Sequence, residues 1–360
     1  MIQIGIIGYG YWGPNLMRNF METPDANVAV VGDLRPQRLD LVRRRNPSVA
    51  TTQDVRELIQ DPKIDAIAIA TPVSTHYELA LEALRAGKHV LVEKPMTATS
   101  DQARRLIDEA ARRRLTLLVD HTFVYTGAVR KIAELISTGQ LGEIYYYDSV
   151  RVNLGLFQHD TNVLWDLAVH DLAILSYLLP SNPIAVSAAG ISHIPGEPEN
   201  IAYLNLFFED NLIAHIHVNW LAPLKIRQTL IGGSRKMVVY DDVEPSEKVK
   251  VYDKGITVNG NGAGLNGSDG VYKKMMISYR AGDMWAPQLD ITEALRLESE
   301  HFVRCIGSGE APITGGEAGL RVVSILEAAT RSLAMRGQVV RLKARPKALR
   351  QAAAAIAVPA

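Results

Sequence analysis

The sequence predicts an α/β protein of about two domains, a parallel-sheet unit followed by a strand-rich unit, and three observations carry the prediction. Short Val- and Ile-rich runs alternate with amphipathic segments through the first third of the chain. A glycine-rich turn, Gly8 to Gly13, follows the first run directly. Beyond residue 143 the apolar pattern becomes an alternation, which marks strands with one solvated face. The length of 360 residues suits two domains at roughly 150 residues each.

The elements follow in order. Residues 2–7, 28–31, 66–70, 89–92 and 115–119 are apolar on both faces, as strands buried between helix layers must be. Residues 75–86 predict an amphipathic helix that stops at Gly87, and residues 100–113 predict another that opens on Ser100 as N-cap. Repeated strand–helix alternation gives a parallel sheet with right-handed crossovers and sets the first domain at residues 1–122. Residues 143–153, 184–191, 201–208, 212–219, 225–231 and 236–240 read as strands of a mainly antiparallel sheet. A helix over 164–178 interrupts them. Helices over 291–306 and 317–335 close the second domain, residues 123–342. Residues 260–270 (GNGAGLNGSDG) predict a flexible loop, and residues 343–360 a flexible tail.

Composition removes several classes. Apolar residues make up 47 % and charged residues 22 %, which is not the composition of a disordered chain. Lys plus Arg equals Asp plus Glu, 39 each, so the chain lacks the basic footprint of a nucleic-acid binder. Cys305 is the single cysteine, which excludes an intrachain disulfide framework and a Cys-rich zinc site. The opening MIQIGIIGYG has no basic region, and no apolar stretch reaches the ~18 residues of a membrane span. The expectation is a cytoplasmic protein without a membrane partner. No metal motif stands out; His215 and His217 share a strand face but have no clear third ligand nearby in sequence.

In Gly8-Tyr9-Gly10-Tyr11-Trp12-Gly13 each glycine has a mechanical task in a dinucleotide-binding turn. Gly8 makes the tight turn, Gly10 lets the backbone approach a pyrophosphate, and Gly13 lets the next helix pack on the strand. Asp33 closes the second strand, where a carboxylate bonds the adenosine ribose hydroxyls. That favours NAD, because a carboxylate repels a 2′-phosphate. Arg35 and Arg38 leave NADP as the alternative. Thr71 and Pro72 follow the strand 66–70, at the carboxyl edge where ligands bind in open α/β sheets. His76 opens the next helix and either reaches that edge or decorates the surface.

The chemistry points to two places. Glu93-Lys94-Pro95 follows the strand 89–92 on the same carboxyl edge, and Pro95 keeps Lys94 out of helical geometry. Beside an oxidised nicotinamide a lysine's positive charge is disfavoured, which makes Lys94 a proton acceptor or a donor to a substrate hydroxyl. Asp166 and His170 stand at i and i+4 in an apolar helix and so share a face. A histidine is the natural acid/base for a hydroxyl proton, and a nearby carboxylate orients it or raises its proton affinity. The alternative is a structural Asp–His pair satisfied in the core.

The glycine turn, Ala70-Thr71-Pro72, His76, the run AGKHVLVEKP ending at Pro95, and Asp166…His170 occur together in this order. The chain resembles the glucose–fructose oxidoreductase/inositol dehydrogenase (Gfo/Idh/MocA) family over residues 1–340. The resemblance implies an N-terminal Rossmann domain and a C-terminal α/β domain with a large, mostly antiparallel open sheet. It implies an NAD(P)-dependent sugar dehydrogenase or ketoreductase that assembles as a homodimer or homotetramer through the open sheet. By position, Lys94 corresponds to the lysine that touches cofactor and substrate, His170 to the acid/base, and Asp166 to the acidic residue one turn earlier. The glycine-rich stretch many members carry before the Asp is Asn162-Val163-Leu164-Trp165 here. The form WDLAVHD is similar to members acting on nucleotide-linked sugars, including UDP-N-acetylglucosamine or its uronate oxidised at C3. Tyr11, Trp12 and Glu93 are further cofactor candidates. Tyr125, Arg151, Asn153, Gln158 and His159 are substrate candidates, with Arg151 as partner to a phosphate or carboxylate.

Overall fold

The computed structural model describes residues 1–155, 161–179, 181–258 and 277–342. The first sheet has six strands: β1 (Ile2–Ile7), β2 (Ala26–Gly32), β3 (Ala50–Thr52), β4 (Ala66–Ile69), β5 (His89–Glu93) and β6 (Leu117–Asp120). They run parallel in the order β3-β2-β1-β4-β5-β6. Helices α1 (Gly13–Glu22), α2 (Pro36–Arg45), α3 (Val55–Gln60), α4 (Val73–Arg85) and α5 (Ser100–Arg113) make the crossovers. Alternation within each strand feeds two cores. Ile4, Ile6, Ala66 and Ala68 pack with Leu16 and Phe20, whereas Ile7, Ile67 and Ile69 pack with Leu81 and Leu84. The strand order reverses between β1 and β4, and the carboxyl ends part there to form a crevice. This is a Rossmann domain.

Two short elements, β3 and α3, carry too few residues for a periodicity to show. The cap of α5 sits one residue before the expected Ser100: the Thr99 side chain accepts from the Gln102 N–H.

A 3₁₀ turn, Thr122–Tyr125, leads to α6 (Gly127–Ser137), a helix the sequence pattern did not reveal. Its N-cap is Thr126, whose side chain accepts from the Val129 N–H. The second sheet is built on β7 (Ile144–Leu154), β8 (Ala185–Ile191), β9 (Ile201–Phe207), β10 (Ile213–Asn219), β11 (Leu221–Gly233), β12 (Met237–Asp241) and β13 (Val249–Tyr252). A separate ribbon pairs β14 (Gly255–Val258) with β15 (Ile277–Arg280), and β16 (Met284–Trp285) and β17 (Val340–Arg341) edge the large sheet. Its order is β16-β13-β12-β11-β7-β10-β9-β8-β17. Every pairing is antiparallel except β7 with β10. One face buries Tyr147, Leu204, Ile216 and Val238 against the helices. The other bears Tyr203, His215 and His217, whose rings stack.

The expected helix over 164–178 is two pieces. Leu164–Ala168 form a wide π-helical turn, and α7 (Val169–Leu178) continues from it. The last two helices, α8 (Ala294–Ser308) and α9 (Gly316–Ala334), return to the first domain. Phe302 of α8 joins the core of Phe20, with the rings 6.1 Å apart, and Val323 of α9 joins the core of Ile67. No helix among the described residues is long and apolar enough to cross a membrane. The segments expected to be a loop (260–270) and a tail (343–360) lie outside the described residues.

Candidate active site

The turn between β1 and α1 requires two of its glycines, Gly8 and Gly13. Gly8 has φ +96°, and a Cβ there would lie 2.6 Å from the Ala70 carbonyl oxygen. A Cβ on Gly13 would lie 2.1 Å from the Gly8 carbonyl oxygen. A Cβ on Gly10 would have just Arg35 Nη2 within 4 Å among the described residues, at 3.7 Å, so this side of the turn is open. No side chain caps α1, which leaves its N-terminal N–H groups and dipole for an anion. Tyr11 is 86 % exposed and stacks on Trp12. Trp12 Nε1 donates to Asp120 Oδ2 at 2.6 Å, tying the turn to the end of β6.

Asp33 follows β2 and is 5 % exposed. Its Oδ2 accepts from the Tyr9 N–H at 2.8 Å, and its Oδ1 from the Arg35 N–H at 2.9 Å. The Arg35 guanidinium adds two contacts of 3.0 Å. Burial alone would raise the Asp33 pKa, but the Arg35 guanidinium and the two backbone N–H groups outweigh it and hold it below its ordinary value. An open turn, an uncapped helix and an ionised carboxylate at the end of β2 fit a dinucleotide.

His76 reaches the carboxyl edge and is not a surface residue. It is 1 % exposed. Its Nε2 lies 2.8 Å from the Thr71 carbonyl oxygen and its Nδ1 2.9 Å from that of Pro95. A neutral ring donates to one of these; donating to both needs the imidazolium, which burial disfavours. One ring nitrogen thus bonds a backbone carbonyl and the other faces a second, so His76 sits between the loops after β4 and β5. The Lys94–Pro95 peptide between them is cis.

Lys94 Nζ reaches the second domain. It donates to the Asp166 carbonyl at 3.0 Å and stands 3.3 Å from Asp166 Oδ1. Asp166 Oδ2 accepts from Trp220 Nε1 at 3.0 Å. The carboxylate is therefore held from two sides, with both members of the ion pair partly exposed. His170 stands beside this pair, its ring 4.9 Å from that of Phe123. Its Nδ1 is buried and has no hydrogen-bond partner among the described residues. Burial first, then the charges of Lys94, Arg151 and Arg227, push its pKa well below 6.5. His170 is a neutral imidazole at physiological pH, able to accept a proton.

Acidic groups gather behind Lys94. Glu93 Oε2 accepts from the Lys94 N–H at 3.0 Å, and its Oε1 is buried without a partner among the described residues. Glu298, on α8, is fully buried and accepts from the His121 N–H at 3.0 Å. Burial and the nearby Asp120 push both glutamates well above the usual range. Both ring nitrogens of His121 lack partners among the described residues, and burial brings its pKa down to about 4.

A model of an oxidoreductase family with an NAD-binding Rossmann fold, GFO_IDH_MocA, matches residues 2–121, and the GFO/IDH/MocA C-terminal domain matches residues 129–239. The chain belongs to the Gfo/Idh/MocA family of oxidoreductases. The oxidoreductase YdgJ of Escherichia coli is 30 % identical over 262 residues, 69 % of this chain and 73 % of that protein. A myo-inositol 2-dehydrogenase of Thermotoga maritima is 24 % identical over 350 residues, 92 % of this chain and 96 % of its own. Among solved structures, a UDP-N-acetylglucosamine 3-dehydrogenase, GnnA, of Acidithiobacillus ferrooxidans superposes with a TM-score of 0.76. It is 22 % identical, covering 94 % of this chain and 99 % of that one.

In this Gfo/Idh/MocA chain the remaining substrate candidates divide. The Tyr125 hydroxyl is buried, 2.9 Å from His301 Nδ1 and 3.0 Å from Thr314 Oγ1, so it faces α8 instead of the crevice. Arg151 is 2 % exposed, and its Nε donates to Asp171 Oδ2 at 2.6 Å. That pairing uses the charge expected for a phosphate or carboxylate and locks β7 to α7. Asn153 is half-buried near the end of β7. Gln158 and His159 lie outside the described residues. Sequence reading missed Trp220, Phe123, Arg227 and Asp120. Arg227 pairs with Arg151 across β7 and β11, and both guanidiniums lie over the Phe123 ring, at 5.4 and 4.6 Å. No motif marks these residues; strand pairing sets Arg227 beside Arg151, and the turn after β6 brings Phe123 against His170.

Proposed function

We propose that this oxidoreductase moves a hydride between nicotinamide and a hydroxyl-bearing sugar carbon, with C3 of a UDP-N-acetylglucosamine-type nucleotide sugar as the leading substrate. The observation that carries this reading is Lys94, held by Asp166 beside a neutral His170 at the carboxyl edge of the Rossmann sheet. Gly8, Gly10, Tyr11, Trp12, Gly13, Asp33 and the Thr71–Pro72 edge would hold the dinucleotide, with Glu93 and Lys94 at its nicotinamide end. When bound, the nicotinamide supplies the hydride acceptor.

The chain's own residues handle the proton. Lys94 donates a hydrogen bond to the substrate hydroxyl and polarises the O–H bond. His170 accepts the hydroxyl proton, because burial and its cationic neighbours keep it unprotonated beforehand. Asp166 fixes Lys94 and balances its charge. In the reverse direction His170 returns the proton to a ketone oxygen.

Two kinds of relative support the substrate class: GnnA, whose fold this chain shares, acts on a UDP-sugar, and the T. maritima relative acts on an inositol. A free sugar or inositol-like polyol is therefore the second reading. Asp33 supports NAD over NADP. The exposed sheet face with Tyr203 and His217 is our choice for the contact between copies in a homodimer or homotetramer.

The deciding experiment mixes the protein with NAD or NADP and separate UDP-sugars, free sugars and inositols, and follows nicotinamide absorbance. Reduction with UDP-sugars alone supports the first reading, and reduction with inositols alone supports the second. Cofactor binding with no turnover in either direction on any sugar or keto-sugar would overturn both, in favour of a nucleotide-binding sensor.

A further inference from the structure

Away from the crevice, the end of α8 brings three metal-ligating side chains together. His301 and Cys305 are i and i+4 on this helix and share one buried face, 4 % and 0 % exposed. The helix stops at Gly309, whose φ of +75° turns the chain back so that Glu310 reaches the same face. Glu310 Oε1 lies 3.7 Å from His301 Nε2 and 3.8 Å from Cys305 Sγ. The three ligand atoms all lie within 4.8 Å of one another.

These spacings suit one cation. A tetrahedral zinc ion holds sulfur at about 2.3 Å and nitrogen or oxygen at about 2.0–2.2 Å, so its ligand atoms stand roughly 3.3–3.7 Å apart. Two edges of the cluster, 3.7 and 3.8 Å, already lie at or just beyond the upper end of this range.

A second observation concerns the histidine. The Tyr125 hydroxyl, itself anchored on Thr314, lies 2.9 Å from His301 Nδ1. This contact fixes the ring and leaves Nε2 facing Glu310 and Cys305, beyond hydrogen-bond distance of the carboxylate. Metal-binding histidines are commonly oriented by such a contact at their other nitrogen. The helix C-terminus adds the negative end of its dipole. Arg304 Nε currently meets Glu310 Oε1 at 2.9 Å, but both side chains are about half exposed, 59 % and 45 %. Such pairs contribute little, so a divalent ion displaces the arginine at small cost.

We propose that His301 Nε2, Cys305 Sγ and Glu310 Oε1 form a zinc-type site that binds one borderline-soft divalent cation, with water as fourth ligand. On binding, the Cys305 thiol proton leaves to solvent, the metal–sulfur bond forms, and Arg304 swings away. Nitrogen, sulfur and carboxylate together select zinc over calcium or magnesium. The bound ion would clamp the end of α8 to the turn that carries Glu310.

Cobalt(II) titration of the whole, metal-stripped protein under reducing conditions tests this. The chain has one cysteine, so a thiolate-to-cobalt charge-transfer band reports this site alone. The expected result is a band saturating at one cobalt per chain and bleached by zinc. Cys305→Ser abolishes the band, and Glu310→Gln, a change at an exposed side chain, weakens cobalt binding by about tenfold or more. Circular dichroism confirms that each variant is folded. Absence of the band in the folded wild-type protein, or an unchanged affinity in Glu310→Gln, overturns the assignment and leaves Arg304–Glu310 as an ordinary helix-end ion pair.

Discussion

Lys94 and Asp166, 72 positions apart in sequence, meet with Nζ 3.3 Å from Oδ1 and join the two domains at the crevice. The sequence spacing had aimed Asp166 at His170 instead. The wide turn at Leu164–Ala168 removes the i, i+4 alignment that an α-helix would give. Asp166 serves the lysine, and His170 is left as a free base.

Asp166→Asn should therefore impair chemistry more than binding. It removes the charge that holds Lys94 but retains a group able to meet Trp220. Turnover should fall by about a hundredfold, with the dissociation constant for reduced cofactor little changed in a fluorescence titration. Unchanged turnover would remove Asp166 from the mechanism.

The low proton affinity of His170 sets the acid side of the pH profile. Its pKa is depressed, so the base form survives as pH falls, and kcat/KM for hydroxyl oxidation should decline well below pH 6.5. Arg227 is one of the cations responsible. Arg227→Gln should move this acid limb upward, by up to about one pH unit. A profile that stays in place would mean that His170 is not the titrating base.

Cofactor choice turns on Asp33 and Arg35. The arginine's Nε and Nη2 each lie 3.0 Å from the carboxylate, so it is not free for a 2′-phosphate. Asp33→Ala should release it and remove the ribose acceptor. The ratio of kcat/KM for NAD over NADP should drop by about tenfold or more, since a hydrogen bond to a charged group contributes ~1.5–3 kcal/mol. A constant ratio would show that neither residue reads the ribose.

Glu298 predicts a pH dependence of stability. Its folded pKa is raised, by burial and then Asp120, so its protonated form stabilises the fold at low pH. That contribution is lost as pH rises through the folded pKa. Glu298→Gln mimics the protonated side chain. The variant should match wild type below the ordinary carboxylate range and exceed its melting temperature by a growing margin as pH rises above that range. Parallel melting curves across pH would refute a raised pKa.

Much of the first domain was legible because its signals are local. Gly8 and Gly13 sit where steric limits of a single turn demand them, and Gly10 where the turn is open. The strand runs 2–7, 66–70 and 89–92 declare themselves by being apolar on both faces. The helix at 127–137 was not legible from the pattern read there, and β3 and α3 are too short to show a period. Lys94 and His170 were singled out by motif. Tyr125 and Arg151 were named as substrate candidates because they are polar and come from segments flanking the site; their side chains bond His301 and Asp171.

The sequence by itself determined the dinucleotide turn, the parallel sheet, the family resemblance and which residues carry polar chemistry. Each depends on backbone conformation or on neighbours a few positions away. Tertiary structure alone decided the partners. Strand pairing puts Arg227 beside Arg151, the return of α8 puts Glu298 against His121, and domain packing puts Lys94 on Asp166. Side chains interact over a few ångströms of space whatever their separation along the chain, and a one-dimensional pattern does not encode that distance.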